Sequence, residues 1–282
     1  MSENELLFSL FFVSCRSKNK VEQPMIKDFD LLQRANNDYT TIDLEHAEEL
    51  AYRELIDSIR YIPLGDECGV MGNIANIITY KGRFYIQEEQ FDRVFIYDDT
   101  GRCLKKIDNK GRGPGEYLRI ESIDINTEKE ELMLVDGMSD KLFFYDLDGN
   151  FKSIHSIRYF QTENTLCLRD SVFLHISAPS QNFGNEGLYG YALVLSKGNE
   201  NFLKGYRYLP LQVGYKGGGQ IFKGYERSCY HPIYSDTIYQ ILSDTTYGPI
   251  FYFKIKNSSW EKYHNSDRFV DIDGSEEGVF TL

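Results

Sequence analysis

The chain has 282 residues, with 43 Asp and Glu against 31 Lys and Arg and a formal charge of −12. That field repels a duplex or an anionic membrane surface, and no dense Lys/Arg run offsets it, so nucleic acid is excluded as a partner. A hydrophobic share of 41% excludes wholesale disorder, and 15% aromatic residues, with 21 Tyr and 19 Phe, favour strands.

From the N-terminus, Leu6 to Val13 is an apolar run that ends at Ser14-Cys15. It is shorter than the about 20 residues that span a bilayer, and it has the small-residue ending of a secretory signal. Phe12-Val13-Ser14-Cys15 resembles a bacterial lipobox, which makes residues 1–15 a signal peptide and Cys15 the lipidated residue. The preceding Ser2-Glu3-Asn4-Glu5 is acidic where a signal is basic, so a buried strand is the competing reading. Residues 16–54 read as a polar tether containing one helical pattern, Leu44 to Leu55.

Residues 55–282 carry an internal repeat. Phe91 to Gly101 and Ser139 to Gly149 share Asp, basic, aliphatic, Phe, apolar, Tyr, Asp and Gly at an offset of 48, from Asp92 to Asp140. Ser235 to Ile241 repeats the pattern again, and a more divergent unit lies between, with Tyr191 to Leu195 near the expected place. Each unit predicts four strands. The first is Ala75 to Thr79 or Ser122 to Asn126, followed by a turn at Lys81-Gly82 or Thr127 to Glu130. A second strand, an Asp-led turn and a third strand lead to a hairpin at Gly101 or Gly149, and a fourth strand starts at Cys103 or Phe151. Gly101 and Gly149 stand where a tight hairpin needs positive φ.

Four strands in about 48 residues match a β-propeller blade, and a blade must stack on neighbours to bury both faces. The recurrence of Asp92, Asp140 and Asp236 at equivalent places points to turn capping rather than to one catalytic site. About four and a half units fit from Asp57 to Leu282, and Val270 to Gly274 reads as a further blade starting, which predicts an incomplete ring.

Gly111-Arg112-Gly113-Pro114-Gly115-Glu116-Tyr117 joins the first two units and has two readings. As a ligand site, Gly113 and Gly115 would bring backbone N–H groups close to an anion, Arg112 would add charge, and Glu116 would supply a base or a metal oxygen. As a crossover, the glycines make a sharp turn that Glu116 and Tyr117 lock by hydrogen bonds. The third glycine comes too early for a dinucleotide fingerprint, and no Gly-Lys-Ser/Thr ending follows. Lys216 to Gln220 is a second glycine-rich connection, read as a flexible loop.

Leu55 to Leu64, the first unit and the Gly111 to Tyr117 segment together resemble the six-bladed β-propeller lipoproteins of Bacteroides-type bacteria. There a Gly-x-Gly-Pro-Gly-Glu-Tyr/Phe segment links the first two blades. The resemblance extends from Asp43 to Phe253 and is distantly shared with NHL-repeat propellers. It implies an all-β, incomplete six-bladed ring, a lipid anchor at Cys15 as the sole membrane contact, and a periplasmic or outer-membrane address. It brings no activity. Because NHL-repeat propellers mostly bind partners, the implied role is a binding or scaffold module for a glycan, peptide or envelope protein.

No C-x-x-C pair occurs, and Cys68, Cys103, Cys167 and Cys229 have no common spacing. Their expected state is buried free thiols, with pairing left open. The five histidines, His46, His155, His175, His231 and His264, form no H-E-x-x-H, and no nucleophile elbow exists, so neither a metal site nor a cofactor is identified. His175 and His231 could approach the axis on inner strands. That keeps a competing function open, a lyase or hydrolase with an axial metal, against the plainer reading of ordinary core and surface histidines. Asp146 to Asn150 suggests a calcium loop, but the twelfth position is Ile157 instead of Glu.

Overall fold

A strand with a sheet on either side must be apolar on both faces, because successive side chains point in opposite directions. The repeat strands have that composition, and a computed structural model shows where each face goes. It describes residues 30–31, 33–34, 38–46, 56–157, 161–169, 171–177, 191–197, 201–208, 219–223, 227–232, 235–243 and 246–254. The signal run with Cys15, most of the tether, Val270 to Gly274, His264, and Lys216 to Gly218 lie outside the described residues.

Among the described residues, three short strands come first, β1 (Asp30–Leu31), β2 (Gln33–Arg34) and β3 (Thr40–Asp43), and four antiparallel meanders follow. The first is β4 (Ile74–Tyr80), β5 (Arg83–Glu88), β6 (Arg93–Asp98) and β7 (Cys103–Ile107). The second is β8 (Ser122–Asn126), β9 (Glu131–Asp136), β10 (Lys141–Asp146) and β11 (Phe151–Ser156). The third is β12 (Asn164–Arg169), β13 (Val172–Ile176), β14 (Tyr191–Lys197) and β15 (Asn201–Tyr208). The fourth is β16 (Gln220–Lys223), β17 (Ser228–His231), β18 (Thr237–Ile241) and β19 (Thr246–Lys254).

The sheets stack face to face as propeller-type blades, with β4, β8, β12 and β16 innermost. In β6, Val94 and Ile96 pack towards the second blade with Phe143 and Tyr145 of β10, while Phe95 and Tyr97 face the other way. In β10, Leu142 and Phe144 turn to Phe173 and Cys167 of the third blade. The third and fourth blades share Leu174, Leu195, Ile221 and Tyr230. Gly101 (φ 87°) and Gly149 (φ 79°) take up the predicted left-handed hairpin positions.

The outer face of the first blade is covered by the segment that precedes it. Gly65 N–H donates to the Gly101 carbonyl (2.7 Å), Tyr97 hydroxyl donates to the Gly65 carbonyl (3.2 Å), and Cys68 is disulfide-bonded to Cys103. The expectation of free thiols therefore fails for this pair. Chain folding carries residue 68 back across the sheet to the start of β7, which places the two Cα atoms 6.0 Å apart. Cys167 and Cys229 are buried free thiols, and burial pushes the Cys167 thiol up to about 12.

Of the predicted helix, Leu44–His46 forms one 3-10 turn and residues 47–55 lie outside the described set. β3 and β2 pair in parallel with β19, and β1 with β15, so the first residues run along the outer rims of the third and fourth blades.

Candidate functional site

The Gly111 to Tyr117 segment closes on itself. Gly111 N–H donates to the Tyr117 carbonyl (2.9 Å), Glu116 N–H to the Gly113 carbonyl (3.1 Å) and Tyr117 N–H to the Asn109 carbonyl (3.2 Å). The Glu116 carboxylate folds back to accept from the Gly113 N–H at 2.6 Å, the place an external anion would take. Gly115 has φ 83°, which side-chain-bearing residues rarely adopt, and a Cβ on Gly111 would push the Glu116 carboxylate away from the Gly113 N–H. Arg112 stands exposed at the tip.

Tyr117 anchors the segment in the core. Its fully buried hydroxyl donates to the Asp92 carbonyl (2.8 Å) and accepts from the Asn109 N–H (3.1 Å), and burial pushes its pKa well above the usual phenol value. Asp92 is the hub, and where its recurrence suggested a cap on its own turn, its carboxylate instead reaches across to the crossover. It has φ 57°, accepts from the Ile120 N–H (3.1 Å) and pairs with Lys110. Asp136 holds the segment from the second blade, accepting from the Leu118 N–H at 2.7 Å.

What the locked crossover builds is a wall. Its downstream residues Arg119, Ile120 and Glu121 line a polar cavity of about 370 Å³ between the first two blades, with Asn73, Glu89 and Gln90 opposite. Gln87 on the floor donates to the Ile120 carbonyl (3.0 Å), and Arg119 pairs with Glu121 (3.3 Å). Asn73, Glu89 and Gln90 are exposed, and their side chains spend no hydrogen bond on the described protein. Burial pushes the Glu121 carboxyl up; Arg119 draws it down, while Asp136, Asp92 and Glu163 add to the rise. Phe91 lies beside the cavity residue Gln90 in the chain, half exposed, with the Arg93 guanidinium 4.5 Å over its ring.

Among the described residues, the histidines do not meet at the axis. His175 and His231 sit on β13 and β17, the second strands of their blades, so the expectation that they occupy inner strands is corrected. His175 is fully buried between Thr165 Oγ1 (2.9 Å) and Ser196 Oγ (2.7 Å), and desolvation lowers its pKa to about 3. His231 Nε2 bonds the Ser235 carbonyl (2.8 Å). Among the described residues, the one group of three potential metal ligands is Asp43, Glu45 and His46, exposed on the rim, with Asp43 and Glu45 paired to Lys254.

Sequence reasoning singled out the crossover but missed the cavity behind it. Asn73, Glu89 and Gln90 sit in no motif, and only the fold brings them opposite Arg119.

No curated protein matches the chain significantly. Among solved structures, a Bacteroides fragilis protein assigned as exported is similar at a TM-score of 0.65 and 20% identity, over 76% of this chain and 60% of that one. At that identity the likeness shows the fold alone, and the chain spans 60% of that protein's length. A duf4221-family member from Bacteroides vulgatus (TM-score 0.42, 10% identity, 63% and 56% covered) carries no argument here. The same holds for virginiamycin B lyase from Staphylococcus aureus (0.43, 11%, 66% and 57%). A family profile matches residues 39–280, and the chain belongs to the family described as Domain of unknown function (DUF4934).

Proposed function

We propose that this protein is an exported, lipid-anchored propeller that binds a glycan at the polar cavity between its first two blades. The carrying observation is the set of amide and carboxylate side chains of Asn73, Gln90 and Glu89, unspent within the described protein, facing the Arg119–Glu121 pair. Primary amides and carboxylates offer donors and acceptors in the mixture that vicinal hydroxyl groups require, and an exposed aromatic such as Phe91 offers a face for the C–H side of a sugar ring. The Gly111 to Tyr117 segment serves this reading as the buttress of the cavity wall. Gly113, Gly115 and Glu116 hold the turn, and Arg112 is exposed at its tip, outside the residues that line the cavity.

Export rests on the apolar run before Cys15 and on the Cys68–Cys103 disulfide, a bond that persists in oxidising compartments. Ring closure with six blades is part of the same proposal, supported by the resemblance at the Gly111 to Tyr117 segment. A second reading, a scaffold for an envelope protein, is favoured by Tyr61 (88% exposed) and Val70 (82%) in the segment on the first blade's flank.

The test is calorimetric titration of the purified chain with a panel of neutral and acidic oligosaccharides. Saturable binding that Gln90→Ala or Asn73→Ala weakens at unchanged melting temperature supports the glycan site. Binding untouched by Asn73→Ala and Gln90→Ala together rejects it, as does no binding across the panel. Radiolabelled palmitate incorporated by the native chain and lost in Cys15→Ala tests the anchor.

A further inference from the structure

Buried carboxylates of this protein are met by its own cations at two places outside the polar cavity. Glu88 is paired with Arg93 at 2.8 Å. Among the innermost strands, Lys223 reaches across from the fourth blade. Its ammonium donates to Asp124 Oδ2 (3.3 Å), the Ile125 carbonyl (2.9 Å) and the Cys167 carbonyl (2.9 Å). A carboxylate taken out of water needs such a partner, so the pattern is the expected one.

The polar cavity departs from it. Three carboxylates line it, Glu89, Asp92 and Glu121, against the single guanidinium of Arg119. Lys110 answers Asp92 and Arg119 answers Glu121, which leaves Glu89 with no cation among the described residues. Behind the wall, Asp136 is 1% exposed and accepts only from uncharged donors, the N–H groups of Leu118, Met138 and Ser139 and the Ser139 hydroxyl. Its charge is felt in the cavity, where Asp136, Asp92 and Glu163 together help to hold the Glu121 carboxyl up.

This excess of negative charge is spread out. Among the described residues, the cavity carboxylates bring no three ligand atoms within 4.8 Å of one another, so the geometry does not offer a metal ion three of them. A ligand ammonium asks for less. It carries three donors on one charge, and Glu89 with the amide oxygens of Asn73 and Gln90 can accept them, while the amide N–H groups remain for hydroxyls.

We propose that the glycan taken by this cavity is a basic one, with a free amino group on the sugar where commoner sugars have a hydroxyl or an N-acetyl group. The inference rests on the glycan reading of the same cavity and adds the charge of the ligand to it.

Tetramers of glucosamine and of N-acetylglucosamine test this, since they share length and linkage and differ in the charge at the amine. Both are titrated calorimetrically against the full chain in low salt at about pH 6, where carboxylates are ionised and the sugar amines carry protons. The amine form is expected to bind about tenfold more tightly. Raising the salt to about 1 M should erase most of that preference, because the screening length falls to about 3 Å. Glu89→Gln, isosteric and at an exposed position, should cost the amine form about fivefold, the upper end for an exposed ion pair, and leave the acetylated form unchanged. Asp99→Asn removes the same charge at the other end of the first blade, between β6 and β7, and should change neither.

Equal affinities, or a tighter acetylated form, would overturn the basic-sugar inference and leave the glycan site standing. A preference that Glu89→Gln leaves intact, or that Asp99→Asn lowers as much, would mean attraction to the overall charge of −12 and would overturn it as well. No binding of either tetramer also overturns it, and the glycan reading then stands or falls on the wider panel.

Discussion

Replacing Lys223 by methionine keeps most of the aliphatic stem and removes the ammonium that ties the fourth blade to the second and third. Asp124 is 3% exposed, so its carboxylate would be left buried with only the Cys167 N–H and nearby backbone to stabilise it. The gross attraction across 3.3 Å is about 5 kcal/mol at an effective dielectric of 20. Part of that is offset in the native chain by desolvation of Lys223, whose side chain keeps 27% of its exposure. Removing one partner of a buried pair typically costs about 3–5 kcal/mol, and the partial exposure places this one at about 3 kcal/mol.

Urea unfolding followed by circular dichroism at pH 7 measures it, with Lys223→Met, Asp124→Asn and the double variant forming a cycle. The double variant should recover at least about 1.5 kcal/mol of the single loss, because a neutral amide can still accept from the Cys167 N–H. Burial already pushes the Asp124 carboxyl up against the pull of Lys223, and without Lys223 it rises further. A raised carboxyl takes up its proton more readily in the folded chain than in the unfolded one. The deficit of Lys223→Met should therefore shrink as pH falls from 7 towards the carboxylate range. A single variant within about 0.5 kcal/mol of native, or a double variant no better than the single, would refute the clasp.

Three further outcomes are expected. Replacing Cys68 and Cys103 by serine opens a loop with a sequence separation of 35, and should cost about 4 kcal/mol by the loop-entropy estimate, read as a lower urea midpoint; identical midpoints would count against the staple. His175 is held neutral, with a folded pKa of about 3 against an ordinary 6.5, so its contribution is complete above pH 6.5 and lost as pH falls. By pH 4.5 the loss is about 3 kcal/mol, and His175→Gln should flatten the stability–pH profile by that amount, whatever its stability at pH 7. Tyr117→Phe leaves the Asp92 carbonyl and the Asn109 N–H without the hydroxyl and should destabilise by about 1–3 kcal/mol. Arg112→Ala, at an exposed tip, should leave the melting temperature unchanged.

The blades were readable because their signals are local. Short apolar runs, an Asp-led turn and a hairpin glycine recur in one stretch of chain, and β8 spans the predicted Ser122 to Asn126. The crossover was readable as a segment, with its glycines one, three and five residues before Glu116. The rest depends on meetings that leave no local trace. Cys68 meets Cys103 because the flank segment doubles back across a sheet, and no spacing rule anticipates that. Asp124 meets Lys223 from 99 residues away, between strands whose neighbour relation exists only once the blades stack. His175 was misplaced because its blade is the divergent one, where the count from inner to outer strand could not be carried over from the first two.

The rim strands bear on the order in which the chain can fold. Asp43 is joined to Lys254 across 211 residues, whereas each blade is closed by contacts within its own stretch of sequence. Local meanders form first, since closing a short loop costs little entropy, and the longest loop closes last. A polypeptide emerging N-terminus first therefore holds β1, β2 and β3 unpaired until β15 and β19 have been delivered and folded. During that interval β15 and β19 keep one edge open, so the moment of greatest exposure to strand exchange with a neighbouring chain comes late, after the blades themselves are complete.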